Sequence, residues 1–405
     1  VSHLFLFDID GVLVNPQGYL KALQDTVAYF TRLIGVGELP PTEQEVRALE
    51  AQAITSEWDS AAICISYDLL QRLRCDAPPS LPADWAAAFS ALAAAPCQLR
   101  RPDYAALAER IGARITPGTG IAEAARAVLW QEALGSEELA PLLPPLAQLL
   151  GQLLGHTYDF YRSPVTRRFQ HLVVGAQRVQ EVYGIDPEVE AASYLEMFDT
   201  PLLSKELRLR LHEAAASGLI RAALYTARPS LPPPEAGLSS TGHPPEAEMA
   251  RSLVELEGYP ILGLGSLNWL AAQTGEIVEH LVKPSPVQAL AAIGLAACGE
   301  QKPALRAAHT LHTKATLEEP LAALRSPTIH VFEDAPSGLA ASRRAVDALT
   351  QAGLNAELRA YGISPGEGPK HRALQEQGIP AYPSINDALA TALNGVGAGD
   401  QAAPT

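Results

Sequence analysis

The feature that most constrains this chain lies near its start, in Leu4-Phe5-Leu6-Phe7-Asp8-Ile9-Asp10-Gly11-Val12-Leu13. Four consecutive apolar residues, short and bounded, read as a strand buried on both faces, the kind found at the centre of a parallel sheet. Two aspartates one residue apart follow at once, and then a glycine. In an extended chain, residues i and i+2 point to the same side. If the strand continues, Asp8 and Asp10 therefore aim at one small volume beyond its carboxyl edge, where open α/β sheets place their ligands. Two carboxylates forced together need a cation, a shared proton, or two different jobs. A bare Asp-x-Asp is also compatible with two solvated acids at a polar strand end.

The rest of the chain decides between these readings. With 47% hydrophobic and 19% charged residues, 405 residues suffice for two domains or for one domain with a large insertion. The net charge of -15 argues against a nucleic-acid partner, which requires a basic face. It leaves room for an anionic substrate, because a metal or a few cations can reverse the field inside one pocket. Cys64, Cys75, Cys97 and Cys298 have no metal-type spacing and fit a reducing compartment. The apolar start runs too soon into charged residues for a signal peptide, and no apolar run is long enough for a membrane span. A soluble, cytoplasmic protein without a membrane partner is expected.

From Asn15 to about Leu203 the texture is helical. Apolar residues recur at three- and four-residue spacing, as in Leu20, Leu23, Val27, Phe30 and Ile34. Proline-rich breaks such as Ala77-Pro78-Pro79 and Leu143-Pro144-Pro145 separate the segments. Within this block, Ser56 followed by Asp59 fits a helix start of the capping-box type; substrate contact by Trp58 and Asp59 is the alternative. Arg162, Arg167 and Arg168 form a solvated face or an anion contact.

Alternating α/β texture returns near Ser204. Expected strands are Leu219 to Tyr225, Pro260 to Ser266, Thr328 to Phe332 and Ala356 to Tyr361, with Ile277 to Val282 leading into Lys283. The expected fold is thus α/β: a Rossmann-like parallel sheet flanked by helices, with a large all-helical insertion after the first strand. Residues 1–14 and 204–395 form the core, 15–203 the insertion, and 396–405 a flexible tail.

Four strand ends then carry polar residues: Asp8 with Asp10, Thr226, the Lys283 region, and Glu333 with Asp334. A parallel sheet gathers them at one edge. A carboxylate can act as nucleophile, a second acid can carry a proton, a hydroxyl and an ammonium can hold an anion, and a distal acid pair can hold Mg²⁺. Taken alone, Lys283 reads as a solvated helix entry; in this company it reads as catalytic.

In order and context these segments resemble the four motifs of the haloacid dehalogenase superfamily, in its phosphatase and phosphotransferase branch. They are Asp8-Ile9-Asp10-Gly11-Val12-Leu13, Leu224-Tyr225-Thr226, Lys283-Pro284 and Phe332-Glu333-Asp334-Ala335-Pro336-Ser337-Gly338. The helical insertion stands where this family carries its C1 cap. The resemblance implies that Asp8 is the nucleophile and Asp10 the general acid and base. It implies that Thr226 and Lys283 hold the phosphoryl group, with Gly11 and Ala227 completing the substrate site; Arg228 is a second cation for the substrate, or else a surface or salt-bridge residue. It further implies Mg²⁺ held by Asp8, Asp10, Asp334 and Glu333. Ala227 stands where glycine or asparagine is frequent, and the insertion is larger than the compact caps common in the family. The implied activity is Mg²⁺-dependent hydrolysis of a small phosphorylated metabolite through an aspartyl-phosphate. A phosphomutase or phosphotransferase on the same scaffold is the close alternative. A hydrolytic dehalogenase suits Asp10 and Asp334 less well. A non-catalytic binding or regulatory protein, or an insertion serving as a protein-interaction module, would be of a different class.

Overall fold

The computed structural model of the chain describes residues 2–116 and 119–400. They form two compact units: one holds the chain to Pro16, Glu181–Gly184 and the chain from Asp199, the other Gln17–Gln180 and Ile185–Phe198.

The first unit is built on a six-stranded parallel sheet. Its strands are β1 (His3–Phe7), β4 (Ile220–Tyr225), β5 (Ile261–Leu262), β6 (Thr328–Glu333), β7 (Glu357–Ile363) and β8 (Ala381–Tyr382), in the order β5-β4-β1-β6-β7-β8. A two-stranded antiparallel ribbon, β2 (Val14–Asn15) with β3 (Thr200–Pro201), completes the numbering. The central position of β1 follows from its composition. Leu4 and Leu6 enter one apolar layer with Ala223 and Val331, while Phe5 and Phe7 enter the opposite one with Leu224 and Phe332. These four apolar side chains of β1 are essentially inaccessible, and each contributes roughly 1.5–3 kcal/mol by burial. Helices Pro286–Cys298, Gln301–Lys314 and Pro336–Gln351 cover the first face. Lys205–Ala216, Glu246–Leu253 and Ile385–Asp400 cover the second.

Several sequence expectations need correction. Only Ile261–Leu262 pairs in the segment expected as a strand to Ser266, because the chain enters helix Leu264–Thr274 directly after Gly263. Lys283 does not stand at a strand end: Val278–His280 is one 3₁₀ turn, and Lys283 follows it just ahead of helix Pro286–Cys298. Helix Gln301–Lys314 ends with Ala315 in the left-handed region. β7 is followed by a further strand, β8, too short to register as a pattern. The ribbon of β2 and β3 was equally invisible. Of the expected flexible tail, residues 396–400 belong to the last helix, and residues 401–405 lie outside the described residues.

The second unit is helical. Its helices include Gln17–Leu33, Glu43–Ala51, Glu57–Cys75, Trp85–Ala93, Tyr104–Gly112, Ile121–Leu134, Leu143–Leu154 and Pro164–Val174. The expected stripe is buried at Leu23, Val27, Phe30 and Ile34, and Phe30 meets Trp85 and Phe89 edge to face. Among the described residues, no helix is long and apolar enough to cross a membrane.

Candidate active site

Register assembles the site. Phe7 is level with Leu224 on one side and with Phe332 on the other. The next residue of each strand is therefore Asp8, Tyr225 or Glu333, side by side at the carboxyl edge, and the Asp8 amide donates to Phe332 O at 3.0 Å. Asp8 is 8% exposed and Glu333 wholly buried.

Lys283 reaches both acids. Its Nζ lies 2.9 Å from Asp8 Oδ1 and 2.7 Å from Glu333 Oε2, and 4.0 Å from the centre of the Tyr225 ring. The Tyr225 hydroxyl donates to Glu333 Oε2 at 2.9 Å. Burial acts to lower the Lys283 pKa, but Asp8, Glu333 and Tyr225 reverse this and hold it well above the usual lysine value. Burial and then the Asp8 charge push Glu333 up to about 8 against the opposing pull of Lys283. Asp334 is raised as well, by burial first, while its ion pair with Lys370 acts the other way.

Two glycines make room for these acids. A Cβ on Gly11, whose φ is +72°, would sit 2.3 Å from Asp334 Oδ2. A Cβ on Gly338, in the first turn of helix Pro336–Gln351, would sit 2.0 Å from Glu333 Oε2. Gly11 thus acts at this site as space for Asp334.

Thr226 is buried at the end of β4. Its hydroxyl accepts the Arg228 amide at 3.1 Å, which leaves its own proton to donate. Gln288, wholly buried, joins this strand end to the lysine: its amide donates to Thr226 O at 2.8 Å, and its oxygen accepts the Lys283 amide at 3.2 Å. Ala227 is exposed.

The strand does not run on through Asp10. The Ile9 carbonyl accepts the amides of Val12, Leu13 and Val14 in a tight turn, and the two aspartates meet different cations. Asp10 is held by Arg228, whose Nε lies 3.0 Å from both carboxylate oxygens and whose Nη2 also bonds Oδ1. The same Nη2 donates to Asp199 Oδ2 at 3.0 Å. Arg228 is 3% exposed and forms ion pairs with both Asp10 and Asp199.

Among the described residues, Asp8, Glu333 and Asp334 form the group able to hold a metal ion, with one carboxylate oxygen from each lying within 4.8 Å of the others. Three hard oxygen donors around a small volume fit Mg²⁺. The Asp10 carboxylate is not among them.

No family model and no curated protein matches this sequence. Solved structures do align with it. An X-ray structure of a Northeast Structural Genomics Consortium target superposes with a TM-score of 0.57 at 13% identity, covering 93% of this chain and 94% of that one. That likeness is one of fold. A phosphatase from Thermococcus thioreducens aligns with a TM-score of 0.46 at 14% identity, over 97% of this chain and 99% of that chain. A hydrolase from Pseudomonas syringae does so at 0.33 and 13%, over the whole of both chains.

Asp199, Gln288, Tyr225 and Lys370 were not singled out from the sequence. Apart from the Lys283 amide, five residues before Gln288, their partners lie far away along the chain, and no local spacing marks them. In the helical unit, Ser56 does accept the Asp59 amide, but Asp59 gives no capping bond in return. Its carboxylate instead accepts hydroxyl protons from Thr157 at 2.6 Å and Tyr158 at 2.7 Å, and burial raises its pKa. The reciprocal capping box belongs to the preceding helix, between Thr42 and Glu45. Trp58 packs edge to face on Tyr158. Of the three arginines, Arg162 is exposed. Arg167 bonds the carbonyls of Phe160 and Tyr161, and Arg168 lies over the Tyr29 ring.

Proposed function

We propose that this protein is a Mg²⁺-dependent phosphatase that hydrolyses a small phosphomonoester through an aspartyl-phosphate on Asp8. The observation that carries the reading is the meeting at Asp8 of Lys283 and of the adjacent Glu333 and Asp334, from two separate segments, with Thr226 at the adjoining strand end.

In the first step an Asp8 oxygen attacks phosphorus and the bond to the alcohol oxygen breaks. Asp10 gives its proton to that oxygen, so a neutral alcohol departs. In the second step Asp10 takes a proton from water, whose oxygen attacks the acyl-phosphate. The bond from phosphorus to Asp8 breaks and inorganic phosphate leaves. Thr226 has a hydroxyl proton free to donate to a phosphoryl oxygen, and Lys283 offsets the charge of Asp8 and of the phosphoryl group. Gly11 allows close approach beside Asp334, and Arg228 holds Asp10. Asp8, Glu333 and Asp334, with the Asp10 carbonyl, are the residues assigned to hold Mg²⁺. When bound, the ion supplies positive charge that relieves repulsion between the carboxylates and phosphate. The helical insertion is assigned the choice of substrate. A net charge of -15 favours a small metabolite over nucleic acid, and a cytoplasmic setting belongs to the same reading.

Phosphate release across a panel of phosphorylated metabolites tests the proposal. Asp8→Asn should reduce turnover to below a few per cent while leaving the far-ultraviolet spectrum unchanged. EDTA should silence the wild type and Mg²⁺ restore it. Undiminished activity in Asp8→Asn removes Asp8 as the nucleophile, and metal-independent turnover removes the metal.

A further inference from the structure

The helical unit carries two thiols that the proposed chemistry does not use. Cys75 closes helix Glu57–Cys75, and Cys97 lies in the irregular segment after helix Trp85–Ala93. No short spacing links them in the sequence, yet the two thiols are hydrogen-bonded to each other. Separate contacts around the pair agree. Cys75 Sγ lies 3.9 Å from the carbonyl oxygen of Gln98, the residue after Cys97. The Arg72 guanidinium, 1% exposed, donates through Nη1 to Asp76 O at 2.7 Å and through Nη2 to Ala95 O. One buried cation thus ties the residue after Cys75 to the segment just before Cys97.

That segment is also held from its other side. The Cys97 amide donates to Gly35 O at 3.0 Å, and a Cβ on Gly35 would sit 3.2 Å from Pro96 Cα. Both sulfurs therefore hang from backbone that the fold fixes, which gives each a high effective concentration for the other. Their exposure differs. Cys75 is exposed and Cys97 half-buried, whereas Cys64 is wholly buried. An incoming oxidant meets Cys75 first, and Cys97 stands behind it. Burial raises the Cys97 thiol above its usual value, and its bond to Cys75 acts the same way, while the Arg72 charge opposes both.

We propose that Cys75 and Cys97 are a redox-modification site, closing to a reversible disulfide by exchange with a small-molecule disulfide, glutathione disulfide. The Cys75 thiolate attacks one sulfur of that disulfide, its S–S bond breaks, and one glutathione thiolate leaves and takes up a proton. The Cys97 thiolate then attacks Cys75 Sγ, the bond to the second glutathione sulfur breaks, and that glutathione leaves in the same way. Two protein thiols are oxidised to one disulfide, and one glutathione disulfide is reduced to two thiols. Excess glutathione thiol reverses both steps, so the bridge is a transient state in a reducing compartment. The bridge joins the end of helix Glu57–Cys75 to the segment beyond the next helix. This site is independent of the phosphatase reading.

The test incubates the full wild-type chain in glutathione buffers of falling thiol-to-disulfide ratio. Samples are quenched with acid, alkylated in denaturant, and digested without reductant for peptide mass mapping. A peptide pair joined through Cys75 and Cys97 should accumulate, while Cys64 stays open to alkylation. Dithiothreitol should return the separate peptides. The equilibrium constant for the bridge should be at least ~10-fold larger for the folded chain than in guanidinium chloride, because the fold brings the sulfurs together. Cys75→Ser and Cys97→Ser should each abolish the joined pair. Both sulfurs carrying glutathione instead, a bridge through Cys64, a chain that stays reduced in glutathione disulfide alone, or an equilibrium constant no larger than in denaturant overturns the proposal. The deciding measurements use the wild-type chain, so they stand whether or not either serine variant folds.

Discussion

Replacing Gly11 by alanine separates two demands that this position meets at once. The first is backbone: φ of +72° costs an L-residue roughly 1–2 kcal/mol. The second is space. The new methyl would lie 2.3 Å from Asp334 Oδ2 and 2.7 Å from its Cγ. Ordinary contact is at roughly 3.5 Å, so the carboxylate has to retreat by about 1 Å. Magnesium accepts oxygen ligands only near ~2.0–2.1 Å, and a ligand displaced that far is lost to it. Two other glycines divide the effect. Gly218 has φ of +76° with nothing near its missing Cβ, and Gly338 has the clash, 2.0 Å to Glu333 Oε2, without positive φ. Gly218→Ala should cost about 1 kcal/mol in stability and leave Mg²⁺ binding as it was. Gly338→Ala should weaken Mg²⁺ by displacing Glu333, with no penalty from φ. Gly11→Ala should do both, losing about 1–2 kcal/mol and at least ~10-fold in metal affinity. Melting curves recorded over a Mg²⁺ titration read both quantities. If Gly11→Ala binds Mg²⁺ as tightly as the wild type, the placement of a metal beside Asp334 is refuted.

Two further outcomes follow from buried charge. Lys283→Met leaves the buried acids Asp8 and Glu333 without their shared cation and should cost ~3–5 kcal/mol by denaturant melting; adding Asp8→Asn should recover part of that, and a double variant no more stable than Lys283→Met counts against the charge argument. His330, wholly inaccessible, has its pKa lowered from 6.5 to about 3 by burial and then by His3 and Arg359. The unfolded chain therefore takes up a proton that the folded one refuses, so stability is full above about pH 6.5 and falls as pH drops toward 3, by about 2 kcal/mol at pH 5. His330→Phe should remove that slope while costing ~1–3 kcal/mol near pH 7, because the Tyr361 hydroxyl loses its partner at 3.2 Å, and the deficit against wild type should shrink as pH falls. A variant with the wild-type slope assigns the acid sensitivity elsewhere.

What could be read from the sequence was whatever a local pattern encodes. The apolar run at Leu4–Phe7 marked a central strand because both faces had to be buried, and parallel register then forced Asp8, Tyr225 and Glu333 together. Lys283 was placed with the right partners for the wrong reason: it arrives from a turn before a helix, not from a strand. The condition of continued extension through Asp10 is not met, since nothing in Ile9-Asp10-Gly11 announces that one carbonyl will accept three successive amides. The two-residue strand β8 and the ribbon fall below any detectable period, while β5 was legible as a strand but not in its length. Asp199 and Arg228 are 29 residues apart, and Arg228 is 218 from Asp10. Their pairing is a property of the folded ribbon alone.

The charge balance of the site explains why those distant residues are needed. Asp8, Asp10, Asp199, Glu333 and Asp334 are joined by ion pairs, or grouped around one small volume, with Lys283, Arg228 and Lys370. Fully ionised, that set carries a surplus of two negative charges. Without another cation the surplus is relieved by protonation, which is the direction in which Glu333 and Asp334 are pushed. One divalent ion beside Asp8 relieves it with every carboxylate still ionised. A phosphomonoester adds a further dianion, which the uncompensated set would repel. On the proposed reading, Arg228 serves the side of the site where charge must alternate, and Lys283 with the metal serves the side where it must stay. The pair of acids at the end of β1 therefore does not share one cation. Each has its own, and that separation is what allows one to remain a nucleophile while the other carries a proton.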